Sequence, residues 1–239
     1  MTGNYKRLFG VAALAAAATI AAPAHADVIK FEGGNSITFG TDIYTENNYN
    51  IGFYANTADG GAGSLVGQFI DGDGSTCDTQ TMLCPANVSG NYYAAFDDSY
   101  LDIINTGSGV FQVKSFDASF IGGSTNIGAY ASTPGLLRVQ GFFSNGTSLS
   151  ETYALTGATS TGFQFAHFDT SAAFSANNFV EVAIFGYTCD TSGSCNAFST
   201  NRGQFAIDNL ALNEVPEPAT FAMIGLGLVG LGAARRRKS

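Results

Sequence analysis

Phe179-Val-Glu-Val-Ala-Ile-Phe-Gly-Tyr187 carries apolar side chains on both parities. Val180, Val182 and Ile184 alternate with Phe179, Ala183 and Phe185. A strand with two apolar faces reads as a central strand. In Leu136-Leu-Arg-Val-Gln-Gly-Phe-Phe143 the pattern is cleaner. Leu137, Val139 and Phe143 share one face, while Arg138 and Gln140 point the other way, as a half-buried strand requires.

Similar short runs recur between clusters of Gly, Asn and Ser. They are 37–39, 51–54, 92–96, 100–104, 110–121, 136–143, 150–155, 162–168, 179–187 and 204–212. No part of residues 27–214 carries a helical stripe, and no internal repeat is evident. Many short strands separated by turn signals predict an all-β antiparallel sandwich of the jelly-roll, carbohydrate-binding-like kind. An open barrel is the main alternative.

The chain has 239 residues and a net charge of −9. Its two ends are distinct from its middle. Lys6 and Arg7 precede an apolar run, Leu8 to Ala22, and then Ala24-His25-Ala26. A basic start, a short apolar core and an A-x-A site describe a secretory signal peptide over 1–26. The apolar run is short for a membrane span of about 20 residues. Between the ends, residues 27–214 form one domain with four basic residues, Lys30, Lys114, Arg138 and Arg202. Eighteen acidic residues face them, giving the domain a net charge of −14. Such a surface repels nucleic acid and anionic lipid, so neither is expected as a partner.

The four cysteines all fall in this domain, as Cys77/Cys84 and Cys189/Cys195. An even count in an exported chain predicts disulfides, and the two local pairings staple polar, turn-rich loops. Zinc is the rival reading, but the usual C-x₂₋₄-C spacing is missing.

Candidate chemistry is sparse. In Gln204-Phe-Ala-Ile-Asp-Asn-Leu-Ala-Leu212 the apolar parity switches at Asp208-Asn209, which predicts a bulge. A carboxylate there needs a partner. One structural Ca²⁺ is a candidate, with Glu32 on an early strand as co-ligand. A hydrogen bond to nearby backbone or to Arg202 is the alternative. Asp97, Asp98 and Asp102 read as a charged loop or a ligand rim near Tyr100. His167 is the single histidine of the domain, and no G-x-S-x-G elbow accompanies it. No catalytic residue is assigned, although any two of eighteen carboxylates suffice for a glycosidase. The domain has no Trp, so a sugar-binding face would rest on Tyr, Asn, Gln and Asp.

The last 25 residues run Val215-Pro216-Glu217-Pro218, then sixteen mostly small apolar residues (219–234), then Arg235, Arg236, Arg237, Lys238 and Ser239. Sixteen helical residues span roughly 24 Å, slightly short of a bilayer core. The basic end is expected to stay on the cytoplasmic side. Pro216 and Pro218 keep the junction extended.

This ordered set resembles the PEP-CTERM sorting signal. The resemblance implies export through the inner membrane and transient anchoring by one transmembrane helix. It further implies handling by an exosortase at Pro216-Glu217-Pro218, with Arg235 to Arg237 as the stop. It associates the protein with exopolysaccharide and biofilm at the cell surface or in the extracellular matrix. Gln204-Phe205-x-x-Asp208 is similar to a Q-F-x-x-D signature seen in a group of PEP-CTERM proteins. The function implied is a non-catalytic binding or structural component of the matrix. A secreted glycan-active hydrolase is the alternative.

Overall fold

The computed structural model describes residues 26–34, 36–56, 63–72, 82–85, 87, 90–107, 109–123 and 126–215. Its strands are β1 (Ala26–Ile29), β2 (Ile37–Phe39), β3 (Ile43–Glu46), β4 (Tyr49–Tyr54), β5 (Leu65–Ile70), β6 (Tyr92–Ala95) and β7 (Tyr100–Asn105). They continue as β8 (Val110–Phe120), β9 (Gly135–Phe142), β10 (Ser148–Leu155), β11 (Ala166–Asp169), β12 (Glu181–Cys189), β13 (Cys195–Asn196) and β14 (Phe205–Val215). The described helical pieces are a 3-10 turn at Ile127–Ala129 and one turn of helix, α1, at Ala172–Ser175.

The strands make two seven-stranded sheets. Sheet A runs β11-β8-β14-β6-β5-β2, with β1 also on β14. Sheet B runs β10-β9-β12-β7-β4-β3, with β13 also on β12. β12 is central, antiparallel to β7 on one side and to β9 on the other.

The sheets close over an apolar core. Sheet B contributes Ile51, Phe53, Leu101, Ile103, Leu137, Val139, Val182 and Ile184. Sheet A answers with Phe111, Val113, Phe116, Phe205, Ile207, Leu210 and Leu212. Each such side chain contributes roughly 1.5–3 kcal/mol of burial. Ala26–Glu214 forms one compact unit that contains this whole core, the condition for folding alone.

The parity switch in β14 is a bulge, as the sequence predicts. Phe205–Ile207 pair with β6, and Leu210–Asn213 pair with β1. Asn209 between them takes a left-handed φ of 48°. The extra residue turns Leu210 and Leu212 back to the face that holds Phe205 and Ile207. Parity alone had put them on opposite faces.

The two outer faces differ. On sheet A, Ile70, Tyr92, Ala94, Phe96, Ile121 and Ala206 form a second buried cluster, packed against Met82, Cys84 and Phe165. No comparable cluster lies on the outer face of sheet B among the described residues.

Cys189 and Cys195 are bonded, tying β13 to the end of β12. Cys84 is also disulfide-bonded. Cys77 lies outside the described residues, as do residues 1–25, where a signal peptide is expected, and residues 216–239. Among the described residues no helix is long and apolar enough to cross a membrane.

Candidate functional site on the outer face of sheet B

Register puts one row of outward side chains across the sheet. Tyr54 of β4 lies opposite Tyr100 of β7, Tyr100 opposite Phe185 of β12, and Phe185 opposite Arg138 of β9. Tyr54 and Tyr100 stack at 5.3 Å between ring centres. Gly52 makes room for this pair: a Cβ there would sit 2.6 Å from the Tyr54 ring.

Phe198 comes from the loop after β13. It meets Tyr100 edge-on at 6.2 Å and Phe185 at 4.9 Å. Phe185 in turn lies 5.8 Å from Tyr187. The Arg138 guanidinium caps the row, 5.0 Å above the Tyr187 ring, and Arg138 Nε donates to Thr152 Oγ1. Five aromatic rings and one cation thus run unbroken over four strands. Four strands at 4.7–4.9 Å spacing span roughly 14 Å.

The neighbouring row is polar. Gln140, Ala183 and Asp102 lie in register, with Glu181 diagonal to Asp102. Asp102 Oδ1 is buried and receives no hydrogen bond. Burial, then the adjacent Glu181 carboxylate, pushes the Asp102 pKa up to about 7.

Asp98, grouped with Asp102 by sequence, does something else. It is fully buried, and its carboxylate accepts the backbone N–H groups of Thr200 (3.1 Å), Asn201 (2.8 Å) and Gly203 (2.5 Å). It fixes the loop that carries Phe198 over the sheet. Asp102 alone of the acidic trio belongs to the outer face.

Asp208 sits at the β14 bulge, 7% exposed. Its Oδ1 accepts the backbone N–H of Asn209 at 2.7 Å, the backbone alternative weighed from the sequence. The Asn209 amide donates to Asp117, and Asp117 Oδ1 lies 2.7 Å from Nδ1 of the exposed His167. Burial raises the Asp208 pKa to about 6, and the charges of Asp117, Glu32 and Glu46 add to the rise. Glu32 is exposed and accepts the Asn91 backbone N–H at 3.3 Å. β1 does pair with β14, but Glu32 lies in the turn after β1 rather than on a strand, and it reaches Asp208 through its charge. Among the described residues no three His, Cys, Asp or Glu side chains converge as a metal-binding group. A cation at Asp208 and Glu32 would draw its remaining ligands from backbone oxygen or water.

The aromatic row was not picked out as a site from the sequence. Its signal was present in the outward parity of Phe179-to-Tyr187, where the same alternation reads as burial. Register is what separates covered from open outward positions.

No curated protein matches the chain significantly. A DUF4465 family protein from Bacteroides ovatus is 8% identical, with 81% of this chain and 100% of that one covered at a TM-score of 0.39. The CBM22-2 xylan-binding domain of Paenibacillus barcinonensis Xyn10C is 11% identical, covering 79% and 99% at a TM-score of 0.37. CBM27-1 of Caldicellulosiruptor saccharolyticus, solved with mannohexaose, is 11% identical, covering 78% and 96% at 0.36. At the other end of the chain, residues 214–238 match the PEP-CTERM protein-sorting motif, which implies export and membrane-associated sorting.

Proposed function

We propose that this protein is an exosortase-processed matrix component whose sandwich domain binds exopolysaccharide on the outer face of sheet B. One observation carries the reading: sheet A's outer face is packed over, whereas sheet B's presents four part-exposed rings (Tyr54, Tyr100, Tyr187 and Phe198, the last lying over the buried Phe185), a guanidinium and a polar row. Apolar ring edges and faces suit the C–H surfaces of sugars. Gln140, Asp102 and Glu181 offer groups for their hydroxyls. The domain acts as a binder rather than a hydrolase. Placement in the Q-F-x-x-D group of PEP-CTERM proteins, and final residence in a biofilm matrix, belong to the same proposal. So does one structural calcium ion at Asp208 and Glu32.

The test is affinity electrophoresis of oxidised residues 27–214 through gels holding the producer's own exopolysaccharide. Retardation is expected, and Tyr54→Ala with Tyr100→Ala should weaken it roughly fivefold or more, about 1 kcal/mol. Unretarded migration of the parent domain, or equal retardation of the variant, would sink the assignment. Release of reducing ends from the polysaccharide would favour the hydrolase instead.

A further inference from the structure

At one end of the sandwich the two sheets part around a cleft of about 560 Å³, inside the ~300–1,000 Å³ range of small-molecule sites. Phe120 at the end of β8 and Gln204 just before β14 form its sheet A wall. Pro134 and Thr188 form the sheet B wall, and Tyr130 and Arg202 stand at its border. The cleft is separate from the aromatic row, because Thr188 has the inward parity of Val182 and Ile184, opposite to Tyr187.

The cations of the domain differ in how they are used. Lys114 donates to Gln112 Oε1 and to the Ser175 carbonyl. Arg138 is engaged by Thr152 and Tyr187. Lys30 is exposed at the end of β1, and it does not line the cleft. Arg202 is exposed, has no ion-pair or hydrogen-bond partner among the described residues, and borders the cleft.

The nearest acid in the wall, Asp190, is turned into its own loop. Its Oδ1 accepts from Ser192 N, Ser192 Oγ and Ser194 N. In a domain of net charge −14, an unpaired guanidinium at a cleft is the local exception to a field that repels anions. Its fork suits a carboxylate. Gln204 and Thr188 supply amide and hydroxyl groups, and Tyr130 with Phe120 supplies an apolar wall. Those two rings are already edge-on at 6.0 Å.

We propose that this end cleft is a second binding site, specific for a carboxylate-bearing sugar residue, with Arg202 on the carboxylate and Tyr130 against the ring. Asp98 holds the backbone on both sides of Arg202, through Asn201 and Gly203, so the main chain that carries the guanidinium is fixed before any ligand arrives. The reading does not depend on the sheet B face.

The test is ¹H–¹⁵N spectroscopy of oxidised residues 27–214 titrated with glucuronate, with glucose and acetate as controls. Saturable shifts at the amides of Thr188, Gln204 and Tyr130 are expected with glucuronate. Binding should be at least tenfold weaker for glucose, for acetate and for the exposed-site variant Arg202→Gln. Tyr130→Ala should also weaken it, and Tyr100→Ala on the sheet B face should leave it unchanged. Absence of saturable shifts with glucuronate would overturn the proposal. So would equal binding of glucose or acetate, or unchanged affinity in Arg202→Gln. Failure of the exopolysaccharide gel assay with a positive glucuronate titration would reject the sheet B reading alone.

Discussion

The Asp98 carboxylate accepts the backbone N–H of Asn201 at 2.8 Å, across 103 residues of chain. Asp98 is 0% exposed and serves Thr200 and Gly203 in the same way. Asn201 itself holds a left-handed φ of 55°, as does Phe198. One buried acid therefore sets a loop whose two ends serve two surfaces: Phe198 joins the aromatic row, and Arg202 borders the end cleft.

Removing that acid should cost both. Asp98→Ala leaves three backbone donors without their charged acceptor, and each such loss costs about 1–3 kcal/mol. A loss of roughly 3 kcal/mol or more is expected, read as a lower urea midpoint at unchanged m. Gly203→Ala should act in the same direction. Its Cβ would lie 2.4 Å from Asp98 Oδ1 and 2.8 Å from the Gly186 carbonyl oxygen. A midpoint within error of the parent for Asp98→Ala would show that the loop is held by other means.

Asp208 gives a pH dependence with a definite sign. Its pKa rises from an ordinary 3.8 to about 6 in the folded state, so the folded protein binds the proton more tightly than the unfolded chain. The stability this group contributes is greatest below pH 4 and falls as pH rises through 6. The fall attributable to this group is at most roughly 3 kcal/mol. Asp208→Asn should flatten it while keeping an oxygen for the Asn209 N–H. Calcium bound by Asp208 and Glu32 would act oppositely, favouring the ionised carboxylate. Millimolar Ca²⁺ should then raise Tm at pH 7, and EDTA should reverse the gain. A Tm indifferent to both would remove the ion from the proposal.

Asp102 supplies a second window. With its pKa near 7, raised by burial and by Glu181, it disfavours the folded state progressively between pH 4 and 7. Asp102→Asn should be more stable than the parent at pH 8 and no more stable at pH 4. Thermal melts at the two pH values check this. An equal change at both would show packing rather than charge.

Much of this architecture is written in local pattern. Alternation in 136–143 and the two-faced run 179–187 mark β9 and the central β12. The parity switch at Asp208-Asn209 marks a bulge that exists. What escaped the sequence has physical causes. β5 reads Leu-Val-Gly-Gln-Phe-Ile, with Gly67 at the middle because the Tyr93 hydroxyl fills the space of its Cβ. β3 is a short, largely exposed edge strand whose polarity resembles a turn. β1 starts at Ala26, inside the A-x-A stretch that reads as a signal-peptide end in the sequence. The aromatic row was illegible for a different reason. Tyr54, Tyr100, Phe185 and Arg138 are scattered over more than 130 residues, and only the register of four strands makes them neighbours.

The sorting signal can be removed without touching the sandwich, and this is the last prediction. β14 ends at Val215, immediately before Pro216-Glu217-Pro218. Its deepest pairings lie earlier, with Leu210 opposite Ile29 and Asn213 opposite Ala26. Cleavage anywhere beyond Val215 therefore leaves every described strand complete. Residues 27–215 should melt within about 1 °C of residues 27–239 held in detergent, since a loss of 1 kcal/mol would shift Tm by about 2–4 °C. Truncation after Asn209 should instead unpair β1 and remove Leu210 and Leu212 from the core, at several kcal/mol. In the producing cell, mass spectrometry of the surface or matrix protein should find a C-terminus short of residue 219. Replacing Pro216-Glu217-Pro218 with alanines should leave the full-length chain in the inner membrane. Recovery of intact 219–239 peptides from the matrix would mean that the motif is not processed where its position in the chain allows it to be.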